Sequence, residues 1–488
     1  MTTSSIIFIT FFIINCLFVI GMVFVERKKI ENIFAWLFIM SIIPIVGFFF
    51  YLMFGNGIGL KTRRMINKTN IAENISKNEI LYLMNKINQD IDLSDYTLLR
   101  KYEQLIKMNV NYGKGFLTFN NKLKFYSQGK DYIDDLLIDI ENAKHHIHVD
   151  YYIFASDNVG KKIIDALTKK CQMGIKVRVI IDSVGSLRLK RKCFKNLIKA
   201  GGEFYEFFPA FLHFKLFNTK INYRNHRKIV IIDGKIGYTG GINFRDDHMG
   251  NSKKLSPWSD AQIRVEGASV YALQNTFFSD YRYAIKDKND KFHFFKNEYY
   301  PYISTVGCSP MQIITSGPNT DKKEIKSCMI KMINMAKVSI KIATPYFVPD
   351  EVFLTALKIA LNSNISVDIL IPLKPDLKLT YGASLSYLQE LEKLGAKIHF
   401  FEGFIHSKYL ITDNDICTLG TCNCDNRSFS LNFEINAVIY DEKFTKILVK
   451  SFENNSKCNI IKYKQKFNKI SFYKKFINSL FRLWSPLL

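Results

Sequence analysis

The chain carries one short motif twice, and this repetition constrains its fold more than any other feature. The stretch HRKIVIIDGKIGYTGGIN spans residues 226–243, and HSKYLITDNDICTLGTCN spans residues 406–423. One H-x-K-x4-D motif would be a weak signal, but two with similar tails indicate two similar halves. The stretches align without a gap, pairing His226 with His406, Lys228 with Lys408, Asp233 with Asp413, Gly241 with Thr421, and Asn243 with Asn423.

The surroundings of the two motifs also repeat. The segment LLIDIENAKHHIHVDYYIFASD (136–157) resembles MIKMINMAKVSIKIATPYFVPD (329–350), and each joins a stretch of helical periodicity to a strand. Another helix and another strand follow in both places. Alternating helices and strands build layered α/β folds. We therefore predict two similar α/β halves, residues 111–300 and 301–465, packed about a pseudo-twofold axis.

The spacing within each motif has a simple structural interpretation. His226 and Lys228 lie on the same face of a strand, because side chains alternate between faces. The apolar run that follows predicts a strand buried between layers. Asp233 and the next glycine form a turn, and a return strand brings Asn243 back beside His226. The apolar run is thus a scaffold that presents the histidine and the lysine at one place.

Two such sites meeting at the pseudo-twofold axis favour phosphoryl chemistry. A lysine beside each histidine would repel a cation, so we predict no metal and no cofactor. The lysines supply positive charge, the asparagines supply donors, and the histidines can perform proton transfer and nucleophilic attack. One histidine can attack phosphorus while the other protonates the leaving alcohol. The histidines without a repeat partner are interpreted as structural or surface residues: His145, His146, His148, His213, His248, His293 and His399.

The N-terminal region predicts a membrane hairpin. Residues 1–25 contain no charged side chain, residues 26–29 are charged, and a second uncharged run covers residues 32–60. Roughly twenty apolar residues span a bilayer core, so we predict two transmembrane helices within residues 1–60. A signal peptide is disfavoured by the missing basic start and the missing cleavage site. Residues 61–110 are predicted to link the hairpin to the first half.

Charge and cysteine content bear on partners and location. The 68 Lys and Arg residues outnumber the 44 Asp and Glu residues, a net charge of +24, which suits a polyanionic partner. The hairpin favours anionic lipid over nucleic acid. Basic residues flank both predicted spans, so charge leaves the orientation open, but nine scattered cysteines favour a cytoplasmic body. Residues 466–488 predict a basic amphipathic tail on lipid, with packing on the protein as the alternative.

At these motifs the chain resembles the phospholipase D superfamily, which is defined by paired H-x-K-x4-D motifs. INYRNHRKIVIIDGKIGYTGGIN, ATPYFVPD, NRSFSLNFE, the N-terminal AWLFIMSIIPIVGFFFYLMFG and the final SPLL resemble the bacterial cardiolipin synthases within it. The resemblance covers nearly the whole chain. It departs from the family pattern at one tail position, where the usual serine is Gly241 in the first half and Thr421 in the second.

The resemblance implies a reaction and a role for each motif residue. Two phosphatidylglycerol molecules would give cardiolipin and glycerol, without metal, through a phosphohistidine in the bacterial cell membrane. His226 would be the nucleophile and His406 the acid. Phosphate binding is implied for Lys228, Lys408, Asn243 and Asn423, and a phosphate contact through backbone or hydroxyl for Gly241 and Thr421. Asp233 and Asp413 would orient the histidines, and Glu434 would be a further supporting residue.

Three other functions would use the same residues or none of them. A membrane-bound phospholipase D would transfer the same phosphatidyl group to water. A nuclease of the superfamily would suit the positive charge, but it has no need of a membrane hairpin. A catalytically idle membrane scaffold would not need two complete motifs.

Overall fold

We describe a computed structural model of the chain. The residues described are 97–113, 115–208, 223–285, 296, 298–303, 306–320, 322–457, 471–483 and 485, together with 30–42 and a few single positions before residue 52.

The N-terminal part of the description is a single helix, α1 (Ile30–Ile42), within the second predicted membrane segment. The ring of Trp36 meets that of Tyr51 edge-on, with centroids 5.3 Å apart. Within the described ranges, no helix combines the length and the apolar character needed to cross a bilayer. Most of the predicted hairpin lies outside the described residues, so the hairpin stays a prediction.

The first half begins after two short helices, and its strands and helices alternate as predicted. The leading helices are α2 (Thr97–Lys101) and α3 (Glu103–Gly113). The strands are β1 (Leu117–Tyr126), β2 (His146–Tyr151), β3 (Lys176–Asp182), β4 (Glu203–Phe207), β5 (Arg224–Asn225), β6 (Lys228–Ile232), β7 (Ile236–Gly240), β8 (Trp258–Ser259) and β9 (Gln262–Glu266). The helices are α4 (Gly129–Asn142), α5 (Asn158–Gln172), α6 (Lys195–Lys199) and α7 (Ser269–Ala284).

The second half repeats this succession. Its strands are β10 (Ser309–Ser316), β11 (Ser339–Ala343), β12 (Phe347–Val348), β13 (Ser366–Pro372), β14 (Lys397–Phe401), β15 (Phe404–Ile405), β16 (Tyr409–Thr412), β17 (Ile416–Gly420), β18 (Cys424–Asp425) and β19 (Asn432–Ile439). Its helices are α8 (Glu324–Met335), α9 (Glu351–Asn362), α10 (Lys378–Lys393), α11 (Asn426–Ser430) and α12 (Glu442–Ser456), and α13 (Phe472–Arg482) follows.

Equivalent helices of the two halves begin at equivalent caps. The carboxylate of Asp157 accepts the backbone N–H of Gly160 at 3.1 Å and begins α5. Asp350 accepts the backbone N–H of Phe353 at 3.0 Å and begins α9. An aspartate at this position satisfies a backbone donor that the first helical turn leaves unpaired. The equivalent segments ASD (155–157) and VPD (348–350) each end in this aspartate and therefore begin the two helices in the same way.

One large sheet joins the two halves. Its path runs β14–β13–β11–β16–β17–β19–β10–β1–β9–β7–β6–β2–β3–β4, and β5 pairs beside β19. Equivalent strands follow the same order from either edge. The halves meet where β1 and β10 pair antiparallel, with Leu117 opposite Gln312. The two motif strands, β6 and β16, therefore occupy equivalent places on either side of this junction.

The alternation of side chains along β6 separates the hydrophobic cores. Ile229 and Ile231 enter a core that contains α7 of the first half and α12 of the second. Val230 and Ile232 enter a different core, formed with α4 and α5. The second half has its own equivalent core under α8 and α9. Because helices cover both faces of β6, the strand is apolar from Ile229 to Ile232, after the motif lysine.

The C-terminal helix α13 packs against α10 rather than standing free. A Cβ on Gly382 would lie 2.3 Å from Cδ2 of Phe481, so the glycine makes room for this ring. Arg482 pairs with Glu390 at 2.6 Å, and its guanidinium lies 4.0 Å from the ring centroid of Tyr387. One side of α13 therefore packs on the protein, which is the alternative to a tail that lies free on lipid. The opposite side exposes Tyr473, Phe476, Leu480 and Leu483.

Candidate active site

Each motif histidine follows a two-residue strand that pairs with the other half. β5 pairs in parallel with the start of β19, and β15 pairs in parallel with β8. The backbone N–H of His226 donates to the carbonyl of Phe433 at 2.9 Å. The backbone N–H of His406 donates to the carbonyl of Ser259 at 2.7 Å. The position of each histidine is therefore held by the opposite half.

Each imidazole is also hydrogen-bonded to a carboxylate of the opposite half. His226 Nδ1 lies 2.9 Å from Glu434 Oε2, and His406 Nδ1 lies 2.8 Å from Asp260 Oδ2. Both carboxylates are buried. A carboxylate at Nδ1 holds the proton there and leaves the lone pair on Nε2, as a nucleophile or a base requires. The contact of Glu434 agrees with its predicted supporting position.

The two carboxylates occupy equivalent positions, although the sequence offset hides this. In the first half, Gly240 of the motif tail pairs with Gln262 of β9, and Asp260 lies two residues before Gln262. In the second half, Gly420 pairs with Asn436 of β19, and Glu434 lies two residues before Asn436. Asp260 and Glu434 are not related by the offset of the motifs, because the loops before them differ in length. The repeat gives no signal for Asp260, since a gapless alignment of the two halves places Tyr440 opposite it.

The motif lysines lie beside the histidines and influence one another. Nζ of Lys228 donates to the carbonyl oxygen of His226 at 2.8 Å, and Lys408 makes the same contact with His406. Burial, followed by the positive charge of Lys408, lowers the pKa of Lys228 to about 7. Burial also lowers the pKa of Lys408 to about 8. The charge of Lys408 thus acts on a lysine of the other half, which places the two half-sites within electrostatic reach of each other.

The surroundings of both motif histidines favour the neutral imidazole. Burial is the main cause that lowers the pKa of His226 to about 4, and the charges of both motif lysines add to it against the opposing effect of Glu434. Burial, followed by the charge of Lys408, holds the pKa of His406 well below its usual value. A neutral imidazole with a free Nε2 lone pair can attack phosphorus.

The prediction that Asp233 and Asp413 orient the histidines is wrong. Asp233 lies at the far end of β6, where it accepts backbone N–H groups of Lys144, His145 and His146 at 2.7–2.9 Å. Asp413 accepts the equivalent N–H groups of residues 337–339 at 2.8–3.1 Å. The five-residue strand between lysine and aspartate places them roughly 15 Å apart. These aspartates hold the starts of β2 and β11.

The two small residues of the motif tails contact the carboxylates in different ways: Gly241 makes room for Asp260, and Thr421 hydrogen-bonds Glu434. A Cβ on Gly241 would lie 1.9 Å from Asp260 Oδ1, so no side chain fits there. Thr421, its counterpart, donates its hydroxyl to Glu434 Oε2 at 2.6 Å. The backbone N–H groups of both residues donate to carbonyl oxygens, at 2.8 Å and 2.9 Å. The expected phosphate contact through either N–H is therefore wrong, because each is already used.

The two tail asparagines differ in their surroundings. Asn243 Oδ1 accepts the backbone N–H of Ile153 at 3.3 Å, and its Nδ2 lies 3.3 Å from His248 Nε2. Asn423 is also buried, and its Oδ1 has no hydrogen-bond partner within the described part of the chain. Asn243 therefore contacts His248, and the placement of the two asparagines beside the motif histidines stays a prediction.

His248 was interpreted as a structural residue, and the structure places it in the site. Its Nδ1 lies 3.6 Å from Asp260 Oδ2, and its ring meets that of His406 edge-on at 4.9 Å. His248, Asp260 and His406 offer ligand atoms within 4.8 Å of one another and could hold a metal ion. The adjacent charge of Lys408 opposes a cation at that place. His213 and His293 lie outside the described residues.

Comparison with known proteins identifies the family. The family model described as cardiolipin synthase, PLD-like domain, matches residues 136–255 and 329–455. The major cardiolipin synthase ClsA of Bacillus subtilis (strain 168) is 39% identical over 493 residues, which cover 100% of both chains. A cardiolipin synthase of Staphylococcus aureus (strain Mu50) is 38% identical over 486 residues, covering 99% of this chain and 96% of that protein.

The fold is also present in a solved structure. The crystal structure of phosphatidylserine synthase from Haemophilus influenzae covers 80% of this chain and 100% of its own, with a TM-score of 0.59 and 15% identity. This likeness concerns the fold alone. The α/β prediction with two phospholipase D-like repeats is confirmed by the family model. With relatives matched along its full length, the chain belongs to the bacterial cardiolipin synthases of the phospholipase D superfamily.

Proposed function

We propose that this protein is a phosphatidyltransferase that joins two phosphatidylglycerol molecules into cardiolipin and releases glycerol through a phosphohistidine intermediate. The observation that carries the proposal is the crossed pair of buried His–Lys sites, in which each histidine is held by a carboxylate of the other half. The names of the relatives support this choice of substrate and product among phosphodiester reactions.

In the first step, Nε2 of His226 attacks the phosphorus of one phosphatidylglycerol. The bond between phosphorus and the glycerol oxygen breaks, and His406 gives a proton to that oxygen as glycerol leaves. His406 is neutral in the free site, so it must gain this proton as substrate binds. The negative charge of the bound phosphodiester favours the imidazolium form and raises the pKa of His406. Substrate binding therefore prepares the acid.

In the second step, a glycerol hydroxyl of the other phosphatidylglycerol attacks the same phosphorus. His406 takes the proton of this hydroxyl, and the bond between phosphorus and Nε2 of His226 breaks. Cardiolipin forms and His226 returns to its neutral state. Glu434 and Asp260 stabilise the positive charge that each imidazole carries during the cycle.

The phosphate oxygens are held by the four remaining motif side chains. Lys228 and Lys408 supply charge from opposite halves, and burial strengthens their attraction for an anion. The amides of Asn243 and Asn423 supply neutral donors. The assignment of His226 as the nucleophile follows the resemblance, because the contacts of the two histidines are nearly the same.

The enzyme acts at the bacterial cell membrane, with two N-terminal spans and its catalytic body on the cytoplasmic side. Its substrates are anionic lipids, and the net charge of +24 suits such a surface. The exposed side of α13 presents Tyr473, Phe476 and Leu480. These apolar side chains can insert at the lipid interface.

The identity of the acceptor decides between this function and a phospholipase D. The purified full chain is incubated with isotopically labelled phosphatidylglycerol in vesicles, and the products are identified by mass spectrometry. We expect cardiolipin and glycerol in equal amounts, since each transfer releases one glycerol. Phosphatidic acid as the main product would show that water is the acceptor.

The rate should depend on pH through the histidine and the two lysines. Below pH 4 or so, protonated His226 cannot attack, because its pKa is about 4. Above neutrality, Lys228 and Lys408 lose the charge that holds phosphate, as pH rises through their pKa values of about 7 and about 8. We expect kcat/KM for cardiolipin formation to be highest between these limits. Lys408→Arg, which stays charged, should extend activity to higher pH; a plateau in the unsubstituted enzyme well above pH 8 would contradict this account.

A further inference from the structure

A buried arginine with an open guanidinium lies directly before the first motif. Arg224 in β5 is two residues from His226 and only 3% exposed. Its Nη1 and Nη2 have no hydrogen-bond acceptor among the described residues. A buried charge with unsatisfied donors is costly, and native structures seldom keep one without a reason. Such a guanidinium is arranged to receive an anion.

The carboxylate of Asp182 acts on Arg224 by charge but makes no hydrogen bond to its guanidinium. Asp182 Oδ2 accepts the backbone N–H of Asn225 at 2.9 Å, and its Oδ1 accepts those of Val184 and Gly185 at 3.0 Å and 2.8 Å. Its negative charge acts on Arg224 only through space. Asp182 therefore makes the burial of a positive charge tolerable while leaving the terminal donors of Arg224 available.

A second arginine adds positive charge at the same place. Burial is the main cause that lowers the pKa of Arg224, and the charge of Arg427 in α11 contributes to the lowering. Both arginines also act on Tyr152, whose ring lies 4.6 Å from the ring of His226 and 5.3 Å from Nζ of Lys228. The positive charge of Arg427 therefore acts on Arg224 and on Tyr152, the residue whose ring lies beside His226.

The repeat provides an internal comparison for this pair. The position equivalent to Arg224 is Phe404, whose ring packs 4.9 Å from that of Trp258. The position equivalent to Arg427 is Asp247, which pairs with Arg245. The same fold is thus built in the other half without either arginine. The positive charges of Arg224 and Arg427 therefore belong to one side of the site, and the fold does not require them.

We propose that Arg224 and Arg427 form a second phosphate subsite, which binds the phosphate of the acceptor phospholipid. This inference rests on the proposed function. The acceptor phosphatidylglycerol carries its phosphate one glycerol unit from the attacking hydroxyl, and cardiolipin holds its two phosphates at that separation. A guanidinium binds phosphate through two parallel hydrogen bonds, which suits the open donors of Arg224. The subsite therefore favours a lipid acceptor over water or a free alcohol.

Two reactions of the same enzyme separate this subsite from the catalytic machinery. Cardiolipin formation requires an acceptor with a phosphate, whereas exchange of deuterated glycerol into phosphatidylglycerol uses an acceptor without one. Both are measured by mass spectrometry on full-length protein in vesicles of phosphatidylglycerol and phosphatidylcholine. We expect Arg224→Gln to slow cardiolipin formation about 10- to 100-fold, the effect of losing charge-assisted hydrogen bonds, and to slow glycerol exchange less than about threefold.

Matched variants complete the test. Arg224→Lys keeps the positive charge but lacks the paired donors of a guanidinium. Its rate of cardiolipin formation should lie between those of Arg224→Gln and the unsubstituted enzyme. Arg191→Gln, at a surface arginine paired with Glu206, should leave both reactions unchanged. Equal losses of the two reactions in Arg224→Gln, or no loss in either, would overturn the subsite. If the unsubstituted protein performs neither reaction, the proposed function itself fails, and the subsite falls with it.

Discussion

Replacing His226 with alanine is expected to abolish cardiolipin formation and any covalent phosphatidyl adduct. We expect the rate to fall at least about 1,000-fold, because no other side chain replaces a lost nucleophile. His406→Ala should cause a similar loss with phosphatidylglycerol, whose glycerol must be protonated to leave. It should still form an adduct from a phosphatidyl ester of nitrophenol, since nitrophenolate leaves without an acid.

Trapping the intermediate with the nitrophenyl ester and mapping the modified residue by mass spectrometry measures this difference. The unsubstituted enzyme and His406→Ala should both carry the phosphatidyl group on His226. An adduct on His406 would reverse the two roles. A fully active enzyme that forms no adduct on either histidine would exclude the covalent mechanism. His399→Gln is a suitable control, because His399 pairs with Asp368 at 2.7 Å outside the motifs and is not part of the site.

The second large effect should come from the crossed carboxylates. Glu434→Gln and Asp260→Asn keep the size of the side chain but remove the charge opposite each imidazole. We expect each to lower kcat by about 10- to 100-fold with little change in melting temperature, since the partner fixes the tautomer and stabilises the imidazolium. The steady-state rate of cardiolipin formation and a thermal unfolding curve on the same preparation are the measurements.

The motif aspartates provide the matched comparison. Asp233→Asn and Asp413→Asn should destabilise the fold by about 1–3 kcal/mol, because each carboxylate accepts backbone N–H groups that would lose a charged partner. The rate of the folded fraction should remain near that of the unsubstituted enzyme. The opposite pattern, with large kinetic losses at Asp233 and none at Glu434, would restore the orienting role that the resemblance implied for the motif aspartates.

Much of the scaffold could be predicted because it follows from local periodicity and repetition. The alternation of helices and strands, the burial of β6 and the turn at Asp233 are set by neighbouring residues. The meeting of two His–Lys pairs was inferred from the repeat, since equivalent segments of two similar halves occupy equivalent places. The apolar composition predicts the N-terminal hairpin, most of which lies outside the described residues.

The partners of the histidines depended on contacts between distant parts of the chain. Glu434 is close to His226 because β5 pairs with the start of β19, and Asp260 is close to His406 because β15 pairs with β8. Loop lengths change the offset between the two carboxylates, so the alignment that found the motifs could not find Asp260. Likewise, the resemblance implied an orienting role for Asp233, but an extended strand carries this residue away from the histidine.

The sequence by itself pointed to the side chains that are proposed to do the chemistry, since strand alternation places a histidine and a lysine two residues apart on the same side. The tertiary structure alone decided which carboxylate serves which histidine, and it revealed the open guanidinium of Arg224. Both arise where the two halves exchange short strands and bury charge between them. The two histidine–carboxylate contacts join residues 208 and 146 positions apart, and no local pattern in the sequence encodes them.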